Sequence, residues 1–139
     1  MKTFFFVSSL LVGFLCGCGD GRVKVFPVSG VVYVDGQPAA DMFVYAQPLE
    51  GQNTGVPTPY AQANEKGEFS FSSYESGDGL ALGKYKLTFK WKERSGMFKQ
   101  DFEGPDRLKG KYADPEKSDK TFTVEKKIND IGRFDLSVK

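Results

Sequence analysis

Apolar and polar residues alternate along much of the chain after residue 23, and this period of two restricts the fold more than any other feature. In residues 84–91, Tyr85, Leu87, Phe89 and Trp91 alternate with lysines and a threonine. A strand places successive side chains on opposite faces, so such a segment has one buried and one solvent-facing side. No stretch keeps apolar residues at the helical spacing over three turns. The sequence therefore predicts an all-β fold.

Two turn motifs predict hairpins within this fold. Asp35-Gly36 follows a run of β-branched residues and is a strong hairpin signal, because both positions accept a positive φ. The segment from Asn64 to Gly67 provides similar turn chemistry. The predicted strand pairs are residues 26–34 with 42–47, and residues 60–63 with 68–73.

Further alternating segments lie at residues 121–125 and 132–138. With the segments above they give seven short strands, the pattern of an antiparallel β-sandwich made of two sheets. Val138 is predicted to share the inward face of the last strand. The other side chains predicted to point inward are Phe69, Phe71, Tyr85, Leu87, Phe89, Trp91, Phe122, Val124, Phe134 and Leu136.

The chain of 139 residues contains no histidine. This removes the commonest general base, the Ser-His and Cys-His nucleophile pairs and every metal site that includes histidine. Both cysteines, Cys16 and Cys18, lie near the amino end, so the body forms no internal disulfide and no thiolate metal site. Lys plus Arg is 19 and Asp plus Glu is 18, which argues against electrostatic capture of nucleic acid. We expect no enzyme activity, no catalytic residue, no metal site, no cofactor and no nucleic-acid partner.

The amino terminus has the pattern of an export signal. Lys2 precedes an apolar run at residues 4–15, and small residues follow it. The run is shorter than the roughly 20 apolar residues that cross a bilayer, so a permanent transmembrane helix is the weaker alternative.

The motif Leu15-Cys16-Gly17-Cys18 resembles the lipobox of bacterial lipoproteins, in which a small residue directly precedes the lipidated cysteine. Cys18 fits this pattern, whereas Cys16 does not, because the bulky Leu15 would stand beside the cleaved bond. An ordinary cleaved signal with two incidental cysteines is the alternative. The resemblance implies lipidation of Cys18 and a cell-envelope location, and Gly19 after the cysteine favours the outer membrane. The implied organisation is a lipoprotein signal peptide at residues 1–17, a short tether at 18–24 and a β-sandwich domain at 25–139.

Three short motifs occur in an order that is a more specific signal of a protein family than any single one of them. They are VSGVVYVDGQP at residues 28–38, NEKGEF at 64–69 and LGKYKL at 82–87. In this order they resemble carboxypeptidase regulatory-like domains, which implies a transthyretin-like sandwich of seven strands and no catalytic residues. Together with the lipobox and with KYADPEKS at 111–118, they are similar to small secreted lipoproteins of planctomycete bacteria. Residues 92–106 show no family pattern.

The connection at residues 93–119 is longer than neighbouring strands need, and long connections are usually functional or disordered. Its apolar and aromatic residues are scattered among cations, a composition found at contact surfaces. The predicted partner contacts are Met97, Phe98, Phe102, Arg107, Lys109 and Tyr112. The alternative is that the apolar groups, including Leu108, cover an open sheet edge.

Two functions remain open after these exclusions. The first is a lipid-anchored sandwich that acts as a binding or structural module of the cell envelope and contacts a protein or polysaccharide. The second is an envelope lipoprotein that binds a small ligand or metal through the acidic and aromatic groups of residues 93–119.

Overall fold

The computed structural model describes residues 19, 21–49, 58–94 and 104–139. In these ranges the chain forms ten strands, a single turn of 3₁₀ helix at Pro115–Lys117 and no α-helix. The strands are β1 Val25–Phe26, β2 Val28–Val34, β3 Gln37–Pro38, β4 Phe43–Pro48, β5 Tyr60–Gln62, β6 Glu68–Ser70, β7 Leu80–Ala81, β8 Gly83–Lys90, β9 Thr121–Val124 and β10 Asn129–Leu136. The predicted all-β class is confirmed, whereas the predicted count of seven strands is wrong because several short pairings were not recognisable as strands. The described part of the chain contains no helix long and apolar enough to cross a membrane.

Two four-stranded sheets form the sandwich. In the first sheet, β10 pairs with one edge of β2, and β6 and β3 pair with the other edge. The second sheet has the strand order β5-β4-β8-β9. Apolar side chains from both sheets form one buried cluster, as the sandwich prediction requires. The short strands β1 and β7 pair separately at one end.

The predicted antiparallel sandwich is confirmed except at one strand pairing, which is parallel. β10 runs parallel to β2, from Asn129 opposite Val28 to Leu136 opposite Val34. The reason lies in the short crossing from β9 to β10, where the Asn129 amide donates to the Pro27 carbonyl at 2.9 Å. Because the chain enters the first sheet beside the start of β2, β10 must run in the same direction.

The Asp35-Gly36 turn forms as predicted, but its partner strand is different. Asp35 and Gly36 have φ of 47° and 80°, the positive values that a tight hairpin requires. The turn pairs β2 with β3 alone, whereas β4 belongs to the other sheet. Pro38 offers no amide to extend the ladder, and Asp41 at φ 63° redirects the chain toward β4. The predicted pairing of residues 26–34 with 42–47 is therefore wrong.

The turn at residues 64–67 also forms, and it is a corner between sheets rather than a hairpin within one. The Asn64 side-chain oxygen accepts hydrogen bonds from the amides of Lys66 and Glu68 at 2.9 and 3.0 Å. β5 then pairs with β4, and β6 pairs with β2. The two segments on either side of this turn share only one isolated bridge, between Tyr60 and Ser72. The predicted pairing of residues 60–63 with 68–73 is wrong.

The predicted inward faces are largely confirmed. Of the ten residues predicted to point inward, seven are buried and three are partly buried against the core. The partly buried three are Trp91, Phe122 and Phe134. Val138 lies beyond the end of β10 and is 41% exposed, so its predicted burial is wrong.

Aromatic rings form a continuous chain through the core and connect the two sheets. Tyr85 stacks on Phe122 with 5.6 Å between ring centroids, and Phe122 stacks on Phe71 at 6.2 Å. From Phe71, the chain of contacts continues within 6.5 Å at each step through Phe69, Phe134, Phe89 and Tyr112. Offset and edge-on pairs of this kind add stability beyond the area that they bury.

Replacing Phe89 by alanine tests this core. Phe89 is fully buried and contacts the rings of Phe134 in the opposite sheet and Tyr112 in the connection after β8, so we expect Phe89→Ala to lower the free energy of unfolding by about 3 to 5 kcal/mol. Ile128, which is 76% exposed, provides the control, because Ile128→Ala should change it by less than about 0.5 kcal/mol. Urea unfolding of both variants measures the difference. If both variants lowered the free energy of unfolding by the same small amount, the burial of Phe89 between the two sheets would be contradicted.

Candidate functional site

The described part of the long connection, residues 104–120, folds back along β8 instead of extending into solvent. The carboxylate of Asp106 organises its first half. One oxygen accepts hydrogen bonds from the amides of Trp91 and Leu108 at 2.9 and 3.0 Å, and the other accepts one from Gly110 at 3.0 Å. Lys109 and Gly110 both have positive φ, of 54° and 75°. This tight turn therefore depends on one side chain.

Arg107 stacks on the chain's only tryptophan. Its guanidinium carbon lies 3.5 Å from the ring centroid of Trp91, and its amide donates to the Trp91 carbonyl at 2.8 Å. The indole nitrogen donates to the carbonyl of Ala40 at 2.9 Å, which holds the ring against the neighbouring loop. Beside it, Arg94 contacts the carboxylate of Asp41 at 2.6 Å. The result is a fixed aromatic surface covered by an exposed cation.

Leu108 and Tyr112 attach the same segment to the core. Leu108 is only 2% exposed. The Tyr112 carbonyl accepts a hydrogen bond from the amide of Phe89 at 2.9 Å, and its hydroxyl accepts one from the amide of Ser137 at 3.1 Å. β9 pairs with β8 only as far as Lys86. The connection therefore covers the β8 edge where β9 ends, which matches the alternative interpretation from the sequence.

A cavity of about 270 Å³ lies where the connection bulges away from β8 between Tyr112 and Lys120. Its floor is the apolar pair Leu87 and Phe89. The Ser118 hydroxyl donates to the Leu87 carbonyl and holds the bulge against the strand. The charged side chains at the rim are Lys111, Asp114, Lys117, Asp119 and Lys120.

The two carboxylates of this rim are paired with two of its lysines. Lys117 lies 3.8 Å from Asp114, and Lys120 lies 3.1 Å from Asp119. The hydrogen bond from Lys120, together with its charge, holds the pKa of Asp119 below its ordinary value, so this carboxylate is ionised at neutral pH. Lys111 instead donates to the main-chain oxygen of Lys139 at 2.6 Å. Three cations against two carboxylates suit a small anionic ligand better than a metal cation.

Of the partner contacts that the sequence predicts, the three that the structure describes, Arg107, Lys109 and Tyr112, do not line one site. Met97, Phe98 and Phe102 lie outside the described residues, as does Cys18. Arg107 and Lys109 line a shallow depression with Glu93, and Tyr112, half-buried, lines the separate cavity described above.

Sequence reasoning missed two features of this region. It did not place Arg107 on Trp91, because contacts between distant segments leave no local pattern. It also did not identify the cavity between Tyr112 and Lys120, because the bulge that forms it depends on contacts with β8. Among the described residues, no group of three or more potential metal ligands lies close enough to hold a metal ion.

Replacing Asp106 by asparagine tests how this region is held in place. Asparagine keeps one carbonyl oxygen but puts an NH₂ donor against at least one of the three backbone amides that donate to the carboxylate, so we expect Asp106→Asn to cost about 2 kcal/mol of folding stability. The emission of Trp91 should also shift as Arg107 leaves its ring. Asp119→Asn is the matched control, because Asp119 is exposed and pairs with the neighbouring Lys120; it should change neither quantity. An unchanged emission spectrum in Asp106→Asn would contradict the organising role of this carboxylate.

The comparisons with known proteins give no family for this chain. No protein-family model matches it, and no curated protein matches it. Among solved structures, it is similar to a DUF3823 family protein from Parabacteroides merdae, with 15% identity, a TM-score of 0.37 and coverage of 84% of this chain and 46% of that chain. It is also similar to part of a 9R-lipoxygenase from Cyanothece, with 9% identity, a TM-score of 0.38 and coverage of 81% of this chain and 16% of that chain. The chain therefore spans less than half the length of either of these proteins.

Proposed function

We propose that this protein is a lipid-anchored, non-catalytic binding or structural module of the cell envelope. The observation that carries the proposal is the motif Leu15-Cys16-Gly17-Cys18 after a positive start and a short apolar run. Lipidation at Cys18 would attach several hydrocarbon chains, and at about 0.8 kcal/mol for each buried CH₂ such an anchor is stable. Gly19 favours the outer membrane as its location.

The path of the chain next to Cys18 supports an anchored domain. The Val23 amide donates to the hydroxyl of Tyr74 at 3.1 Å, and Arg22 lies over the ring of Tyr74 and 3.8 Å from Glu75. The chain thus contacts the sandwich at Arg22 and Val23, four and five residues after the proposed lipid attachment site, which leaves a short tether and keeps the domain close to the bilayer.

The resemblance to carboxypeptidase regulatory-like domains supports a module without catalysis. Its motifs fall on described elements of the sandwich, since residues 28–38 form β2, the Asp35-Gly36 turn and β3. The pKa of Asp119 is lowered at the cavity rim, whereas a general acid needs a raised pKa. We therefore assign this carboxylate a role in charge pairing.

The surface formed by Arg107 over Trp91 supports a contact role at the end of the sandwich where β8 finishes. Aromatic and arginine side chains are enriched at protein interfaces, and this surface presents the exposed guanidinium of Arg107 on the half-buried ring of Trp91. An envelope protein or polysaccharide is accordingly the partner that we propose for this surface.

Exchanging each cysteine separately tests the anchor. Cys18→Ala should abolish lipid attachment, so the protein should leave the detergent phase after phase separation, and its leader should remain uncleaved or be cut elsewhere. Cys16→Ala is the matched control and should still yield a lipidated mature protein that begins at Cys18. Mass spectrometry of the amino-terminal peptide measures both. An unmodified Cys18, or a Cys18→Ala protein that still partitions into detergent, would overturn the proposal.

The cavity beside β8 supports a second candidate function, the binding of a small anion by the envelope lipoprotein. Its rim has three lysines against two carboxylates, which leaves an excess of one positive charge, and Tyr112 contributes a polar aromatic wall.

Calorimetric titration of the protein with inorganic phosphate, and separately with calcium, tests this candidate. Phosphate should bind, and Lys117→Ala should weaken it by about fivefold, the effect of one exposed charge pair of about 1 kcal/mol. Lys109→Ala is the control, because Lys109 is exposed outside this cavity. Binding of calcium alone, or equal affinity of both variants for phosphate, would contradict an anion site here.

A further inference from the structure

One end of the sandwich carries apolar and cationic side chains together, and the chain from Cys18 enters the domain there. We call it the basal surface and define it by Val23, Lys24, Phe26, Leu82, Lys126 and Ile128. Three pairings bring these residues to one end: β1 pairs with β7, Gly83 lies opposite Val124, and the Asn129 amide bonds to the Pro27 carbonyl.

The apolar part of the basal surface is open to solvent. A groove of about 570 Å³ lies between the start of β1, the β7 segment and Lys126. Leu82 at its rim is 44% exposed, and Ile128 on the adjoining turn is 76% exposed. Large apolar side chains at this exposure, side by side with a groove, mark an interaction surface rather than isolated surface residues.

The turn that presents Ile128 is rigidly held. Asn129 is buried, and its side-chain oxygen accepts a hydrogen bond from the backbone amide of Glu125 at 3.0 Å. The same side chain donates to the carbonyls of Glu125 and Lys127 at 3.1 and 2.7 Å. The Asn129 side chain thus ties Glu125 and Lys127 together across the turn, and this fixed turn holds Ile128 in its exposed position.

Cations accompany these apolar groups. The ammonium of Lys24 lies 5.4 Å from the ring centroid of Phe26, and Lys126 lines the groove. Lys127 is paired with Glu125 at 2.5 Å. Within the described ranges, neither Lys24 nor Lys126 takes part in an ion pair, so both charges are available to an anionic partner.

The length of the tether identifies the partner. From Cys18 to Val23 there are five residues, which span at most about 17 Å even when fully extended. The basal surface is therefore confined next to whatever holds the Cys18 lipid. We propose that it docks on the anionic lipid bilayer, with Leu82 and Ile128 at the headgroup boundary and Lys24 and Lys126 near lipid phosphates; the inference rests on the lipid anchor proposed above. This arrangement would fix the orientation of the sandwich on the membrane.

Site-directed fluorescence on the lipidated protein tests the docking. In the mature chain the only native cysteine is Cys18, whose sulfur is bonded to lipid and has no free thiol, so Leu82→Cys and Ile128→Cys can each carry an environment-sensitive fluorophore. Val138→Cys is the matched control, because Val138 is also an exposed aliphatic residue but follows β10 at the opposite end. The proteins are reconstituted into phosphatidylcholine vesicles with or without phosphatidylglycerol and with a spin-labelled lipid as quencher.

We expect quenching of the probes at positions 82 and 128, stronger with phosphatidylglycerol, and none at position 138. Lys24→Glu and Lys126→Glu should each lower the ratio of docked to undocked protein by about fivefold or more, from the interaction of one lysine with an anionic surface. Vesicle flotation in the same samples reports the anchor separately.

Three results would overturn the docking in distinguishable ways. If the protein floats with the vesicles but all three probes respond alike, the anchor stands and the docking is wrong. If the protein does not float and Cys18 is unmodified, the proposed function and the docking both fail. Shielding of positions 82 and 128 only after envelope protein is added would assign the basal surface to a protein partner and overturn the lipid proposal.

Discussion

The rest of the structure depends on the chain of aromatic contacts that crosses the core from Tyr85 to Tyr112. These rings come from both sheets and from the connection after β8, and each lies within 6.5 Å of the next. Both cysteines precede residue 19, so no disulfide supports the described domain. Burial and ring packing must therefore hold together sheets whose outer strands, apart from β10, are only two to four residues long.

The same constraint explains why the long connection is tied down so firmly. β9 is too short to pair with β8 beyond Lys86, which would leave the amides of Leu87 and Phe89 at an open edge. The carbonyls of Lys120 and Tyr112 satisfy these two amides at 2.9 Å each. Because the connection bulges between these two points, the cavity is a direct consequence of protecting the edge. The connection after β8 thus both covers the open strand edge and forms the candidate ligand site.

The sequence predicted which face of each strand is buried far better than which strands are neighbours. The alternation at Phe69, Leu87 and Phe89 identifies inward residues because a period of two is a local property. Strand pairing depends on where the chain turns, and the Asp35-Gly36 turn joins only two short strands before Asp41 sends the chain to the other sheet. For the same reason the site was only partly predictable: the burial of Leu108 and the stacking of Arg107 on Trp91 arise from contacts with residues distant in the chain.

The direction of the strands separates the two surfaces of functional interest. β2 rises from Val28 at the basal end, and at about 3.3 Å for each residue its seven residues span about 20 Å. β8 also starts at the basal end, since Gly83 lies opposite Val124, and it finishes just before Trp91. The aromatic surface under Arg107 therefore lies at the far end from the residues nearest Cys18. A sandwich held at its basal end would present that surface away from the membrane, where an envelope partner could reach it without competing with the lipid for the same side chains.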